Sequence, residues 1–415
     1  MLPFRGLGFL LCGLCLAGQV LQGEPLLDFM YTKFAASFTR GSGPGTEFLV
    51  LAVPGVPLVP ADLKNPAYIS TMLDQVPLPS RSYRPSGYLY SSVYGKVLTR
   101  AAVTRYQVAA DRNLALKAKR MMFDRSRPGQ VTRDYAAYLK YEAEYAAALD
   151  ARTIAQAESR GTRKPVSPSL DQAVQTARKT WEQRGSKVKI DNALKALRKT
   201  YDSNAPVLFE ELRSAFENAQ EPSGEDGEPW LPVLANPPVE EWLSPKGWHP
   251  WAFHQSDCRP GAPGAAGPLP PGRIQGDGPV PADWTPSMTL TVEVKRVNIL
   301  RPWMDTAIFS VHTWRMLDSA GFSVVSTGNP ADPDPGPMPI LITGILLARR
   351  LTLTGAGPSA KGTQKRPARL GPFSLAGAKP PSGGGTVITV PDPQIIAFFC
   401  QIVPKSPTPN PKFFR

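Results

Sequence analysis

Histidine and cysteine are both scarce, and the common catalytic signatures are missing. Three histidines occur in 415 residues, His249, His254 and His312, so general acid–base chemistry would have to run on carboxylates or on these few imidazoles. The four cysteines are too few for a disulfide scaffold. Cys12 and Cys15 fall in a leader-like run, which leaves Cys258 and Cys400 in the body, as one bridge or as two free thiols. No HExxH, Walker A loop, GxGxxG after a strand, GxSxG elbow or CxxC pair is present. Long apolar runs are also missing. Beyond the N-terminus nothing approaches the ~18–20 apolar residues of a membrane-spanning helix. Pro339–Ala348 and Gln394–Val403 are about half that length and read as buried strands.

Proline is in excess, at 46 residues, and it clusters. That pattern fits ordered elements joined by stiff loops rather than a disordered chain. The formal charge is +13 and the pI about 9.6, which favours acidic partners: nucleic acid, anionic lipid or an acidic protein surface. No aromatic-basic module accompanies the charge.

Residues 1–23 read as a secretory signal, with Arg5 ahead of the apolar run Leu7–Leu16 and small residues at Ala17, Gly18 and Gly23. Leucines precede both Cys12 and Cys15, which argues against a lipid anchor there. Residues 24–92 open with an amphipathic helix over Leu27–Phe38, then a strand over Phe48–Val53 stopped by Pro54-Gly55. The tyrosines that follow, Tyr83, Tyr88, Tyr90 and Tyr94, suit burial against a neighbour better than an exposed patch.

From 93 to 220 the composition turns to Ala, Lys, Arg, Gln, Leu and Glu, good helix formers. The pattern predicts one helix over 93–123 and a second from Thr132 to about Gly161, folded back as an antiparallel hairpin. Val97, Ala101, Val108, Ala115 and Met122 would form a loose coiled-coil seam, and Tyr135, Tyr138 and Tyr145 a packing stripe with Leu149. Shorter helices are expected over 169–184, 190–201 and 206–219. Basic residues are spread round these helices, so a solvated bundle is the default reading and a nucleic-acid surface the lesser one.

A Trp/Pro/Gly-rich connection covers 221–287, with Trp230, Trp242, Trp248 and Trp251, then a linker-like run over Cys258–Pro286. The part over 288–403 is strand-rich. Leu290, Val292, Val294 and Val297 or Ile299 alternate with Thr289, Thr291, Glu293 and Lys295, the pattern of a half-buried strand. Strands over 339–354, 386–390 and 395–403 complete it, around a glycine-rich basic loop at 355–385. Residues 404–415 form a proline-rich extended tail. The expected class is α+β: a β-rich body formed mainly by the C-terminal part, with a long antiparallel helical domain inserted or appended.

Three local groupings bear on chemistry. His249, His254, Asp257 and Cys258 are zinc-type ligands within ten residues, but their spacing matches no standard finger and a packed Trp/His loop is the plainer reading. Asp305, Ser310 and His312 are triad residue types whose adjacency in sequence is no evidence for a triad. Arg301, Trp303, Trp314 and Arg315 suit cation–π stacking, and would form a recognition patch if exposed. No cofactor is implied. The reading leans away from an enzyme and towards an exported binding or structural protein, secreted or in the cell envelope. It would engage a protein partner or itself through the basic helical hairpin or the aromatic patch. A toxin-like protein binding anionic membrane ranks second, and a metal-dependent enzyme third. Export makes nucleic acid an unlikely partner.

Overall fold

The computed structural model describes residues 23–39, 47–104, 108–124, 130–162, 165–223, 227–254, 289–354, 369–377 and 388–414. The leader expected over 1–23 lies outside them but for Gly23. So do the Cys258–Pro286 linker and all but 369–377 of the basic loop expected over 355–385.

The N-terminal elements are α1 (Gly23–Phe38), β1 (Phe48–Pro57), α2 (Pro66–Asp74), β2 (Gln75–Pro77), β3 (Pro85–Leu89), α3 (Tyr90–Arg100) and β4 (Ala101–Val103). A run of helices follows: α4 (Ala109–Met122), α5 (Arg133–Thr162), α6 (Pro168–Arg184), α7 (Lys187–Lys199) and α8 (Ala205–Asn218). Next come β5 (Glu221–Ser223), β6 (Gly227–Trp230), β7 (Leu234–Asn236), β8 (His249–His254), β9 (Thr289–Leu300) and β10 (Trp314–Met316). The last strands are β11 (Ile340–Thr354), β12 (Arg369–Leu370), β13 (Phe373–Ser374), β14 (Ile388–Val390) and β15 (Gln394–Ile402).

The fold is α+β. A seven-stranded antiparallel sheet runs β1-β15-β11-β9-β7, with β8 also on β9 and β14 also on β11. Both of its faces are buried. Val50, Val297, Ile345 and Phe398 enter one core beneath α2, α3 and α8, while Leu49, Leu290, Leu346 and Phe399 enter another beneath α1. Side chains alternate across a strand, so a strand covered on both sides reads as a continuous apolar run; FLVLAV and IIAFFC are of that kind.

This two-sided burial corrects one expectation. Lys295 is not on a solvent face but is 3% exposed. Its ammonium donates to the carbonyls of Glu241 (2.9 Å), Trp242 (3.4 Å) and Ser244 (3.4 Å), and lies over the Trp248 ring. Burial pushes its pKa below the usual lysine value.

A second correction concerns 93–123, which is not one helix. Helix α3 ends at Arg100, and Ala101–Val103 form β4, paired antiparallel with β10 through Val103↔Trp314 and Ala101↔Met316. Tertiary pairing overrides the helix propensity of the alanines. The coiled-coil seam is therefore absent: Val97 sits in the sheet core, whereas Ala115 and Met122 belong to a separate cluster among the helices. The expected hairpin partners also change. Helix α5 packs on α6, joined by Arg152–Asp171 (2.5 Å), and α4 packs on α7. Thr132 does cap α5, its Oγ1 accepting from the Tyr135 amide at 3.2 Å. A third correction is at Pro54-Gly55: β1 continues past it to Pro57, with an irregularity between Leu51 and Val56.

Candidate functional site

A cleft of about 1480 Å³ opens between α5 and the short edge strand β7. One wall is α5. Leu139, Ala143 and Ala146, with Leu149, recur at helical spacing and face the opening, beside Glu142 and Tyr145. The other wall is built from Leu63 and Pro66 to Ile69 at the start of α2, and from Trp230 to Leu243. Leu300, paired with Leu234 across β9 and β7, completes the lining at the end of the sheet.

Fixed contacts hold both walls. The Trp303 indole donates to the Pro232 carbonyl (2.9 Å), the Val233 amide to Ser70 Oγ (3.1 Å) and the Trp242 indole to the Pro237 carbonyl (3.0 Å). Lys295 ties down the carbonyls that follow. On the helical side, Arg296 in β9 donates to Glu47 (2.6 Å) and to the Phe38 carbonyl (3.1 Å), and lies 3.9 Å from Asp150 of α5. The middle of α5 is therefore joined to the sheet and to the end of α1. Nearer its N-terminus, Tyr138 and Tyr145 pack on Trp181 of α6. The helix is held at both places, and its intervening face looks into the cleft.

The lining is apolar with few polar groups. Leu139 is 42% exposed, Leu234 53%, Leu243 38% and Leu300 57%, so four leucines from separate segments ring one opening. Lys64, Lys140 and Glu240 are charged groups of the lining. Burial raises the pKa of the Glu142 carboxyl, partly opposed by Lys187. The Trp181 indole nitrogen is buried without a hydrogen-bond partner.

The residues singled out from the sequence are placed elsewhere. Arg301, Trp303 and Trp314 are 8%, 1% and 0% exposed, so they form no recognition patch. Arg301 donates to the Leu73 and Ile342 carbonyls, both at 2.6 Å, and stacks on Tyr90, not on Trp303. Only Arg315 is exposed, and it lies over Phe414 rather than Trp314. The Trp303 and Trp314 rings both belong to the core beneath α2, α3 and α8.

His249 and His254 lie on β8, and burial lowers the pKa of His249. His254 is 3.3 Å from Thr289 Oγ1. Asp257 and Cys258 lie outside the described residues, and no cluster of three or more metal-ligating side chains occurs among the described ones. Asp305 accepts from the Ala307 amide (2.9 Å) as a turn cap, while His312 faces Asp202 at 3.4 Å, so the two do not meet as triad members. Cys400 is a buried free thiol, and burial raises its pKa. No helix among the described residues is long and apolar enough to cross a membrane.

Comparison with protein-family models, with curated proteins and with solved structures gives no match for this chain. The sequence leaves the cleft unmarked because its lining, with prolines and tryptophans beside leucine and alanine, comes from separated segments. The helical spacing of Leu139, Ala143 and Ala146 is the one signal that could have marked it.

Proposed function

We propose that this protein is an exported binding protein that receives an apolar segment of a partner chain in the cleft between α5 and β7. The observation that carries this reading is the ring of exposed leucines, Leu139, Leu234, Leu243 and Leu300, around a preformed opening. Exposed apolar surface gathered in one concave place marks an interaction site, whereas scattered leucines do not.

Size favours a chain segment over a small ligand. Small-molecule pockets run to roughly 300–1,000 Å³, and the cleft is about 1480 Å³. A helix ~10–12 Å across with a 5.4 Å pitch fills this in roughly three turns. An amphipathic helix laid in a groove by its apolar face is a recurring mode of recognition. Strand addition fits less well, because β7 is three residues long and is flanked by Pro232, Pro237 and Pro238. The export part of the proposal rests on the leader-like N-terminus, and an uncleaved chain, retaining residues 1–17 by intact mass and recovered from the cytosol, would remove it.

A random peptide library selected on the full chain tests the cleft. The expected winners carry apolar residues at helical spacing and shift the emission of Trp181 and Trp230, which line the site. Leu234→Asp with Leu300→Asp should weaken them by at least tenfold without altering the far-ultraviolet spectrum, since both side chains are largely exposed. Selection with no apolar periodicity, or binding indifferent to the double substitution, would overturn the reading.

A further inference from the structure

Glu142 differs from every other charged group of the cleft. Among the described residues of the lining, Lys64, Lys140 and Glu240 are exposed, and Glu142 alone is half-buried. Its place follows from the helix. Leu139 precedes it by three residues and Ala146 follows it by four, so the carboxyl belongs to the stripe of α5 that faces the opening. An exposed charge beside water adds little to binding, whereas a half-buried one acts at a lower dielectric. Glu142 therefore weighs more than the other three in what the cleft accepts.

The fold leaves this carboxyl unanswered. Among the described residues Glu142 has no hydrogen bond and no ion pair. The cation that acts on it, Lys187 of α7, is engaged elsewhere: its ammonium binds Asp191 at 2.5 Å and lies 4.2 Å from the centre of the Trp181 ring. Tyr138, one turn before Glu142, donates its hydroxyl to Asp191 at 3.0 Å. Lys195 acts on Asp191 but not on Glu142. Lys140 lies over the Tyr141 ring. Two carboxylates thus bear on Lys187, and Asp191 holds it.

A chain segment seated in the cleft covers Glu142. With apolar side chains alone it would leave the carboxylate drier and still unpaired, which opposes binding. A lysine or arginine among those apolar side chains would pair with the carboxylate instead. Discrimination of this kind is large, because the penalty falls on the ligand that lacks the partner.

We propose that Glu142 selects the segment that enters the cleft, taking the ammonium or guanidinium of a lysine or arginine set among that segment's apolar residues. This rests on the reading of the cleft as a peptide site, and it narrows the partner to an amphipathic helix with a cation on its apolar face.

The test compares selections from one random peptide library on the full wild-type chain and on Glu142→Gln. Wild-type winners should carry Lys or Arg within the apolar stripe, and winners on Glu142→Gln should keep the stripe and lose the cation. A wild-type winner is then made twice, once as selected and once with glutamine in place of the cation, and each is titrated against both proteins. Glu142→Gln should weaken the cationic peptide by about tenfold or more, the range of a hydrogen bond to a charged group. It should leave the glutamine peptide bound as tightly as before or more tightly. A merely structural role for Glu142 would weaken both peptides alike. Apolar periodicity without a cation, an acidic residue in its place, or equal losses for the two peptides overturns this proposal and leaves the cleft as a peptide site. Winners with no apolar periodicity remove the peptide site itself, and this proposal with it.

Discussion

Glu142 is the residue at which the cleft's environment is most open to measurement. Burial raises its pKa from the ordinary 4.5, Lys187 opposes that rise and Asp191 adds to it. A carboxyl whose folded pKa lies above its unfolded value stabilises the fold most below the unfolded pKa, and that contribution is lost as pH rises through the folded value. Glutamine mimics the neutral form. Glu142→Gln should therefore melt at a higher temperature than the wild-type chain at pH 7, with the difference vanishing below about pH 4.5. Equal melting temperatures across that range would mean that the carboxyl is fully hydrated. A bound peptide without a cation should enlarge the difference, because an apolar segment seated over α5 dries the same carboxyl further.

At the scale of elements, a single side chain of β9 ties together α1, α5, β15 and the segment ahead of β1. Arg296 of β9 reaches Glu47 ahead of β1, the last carbonyl of α1 and Asp150 of α5, and lies over the Phe399 ring of β15. Arg296 and Glu47 are 9% and 8% exposed. Removing one member of so dry a pair leaves the other charge buried, at a cost of about 3–5 kcal/mol. Arg296→Met should lower stability by that order in urea titration, and a loss below about 1 kcal/mol would class the pair with surface salt bridges. Such a contact is not legible in a sequence, because its members are separated by 249 positions. Periodicity does mark α1, α5, β9, β11 and β15, whose apolar spacing decides their type locally. It fails at Ala101–Val103, where a helix-forming run is drawn into pairing with Trp314–Met316. It is silent on Trp303 and Trp314, which suit either a core or an exposed patch until the fold places them in the core. The cleft was illegible for the same reason as Arg296: only the assembled chain brings Leu139, Leu234 and Leu300 together.

For the molecule as a whole, stability is unevenly spread. The two sheet cores bury large side chains continuously, including Phe34, Phe253, Phe309, Phe373, Phe398 and Phe399. The helical cluster rests on Ala115, Ala118, Met122, Tyr138, Trp181, Ile190, Ala193 and Leu197, several of them small. Less apolar area is removed from water there, so the free energy of local opening is lower. In deuterium exchange, amides of α6 and α7 should exchange through local opening, while those of β11 and β15 exchange only with global unfolding. Uniform protection across both regions would contradict this.

The strand order has a consequence for how the protein comes into being. β15 lies between β1 and β11, so among the described residues the first strand of the sheet meets its neighbouring strand more than three hundred residues later. Phe48 opposes Cys400, and Leu51 opposes Ala397. More than three hundred further residues must be synthesised before that slot can be filled, and until then FLVLAV has, among the described residues, only the single bridge from Leu51 to Ser82 along its length. Such distant pairing is slow and exposes apolar strands. A stop codon just ahead of Gln394 would remove the strand that joins β1 to the rest of the sheet, leaving a product fit for a chaperone or a protease rather than a shortened version of the same fold.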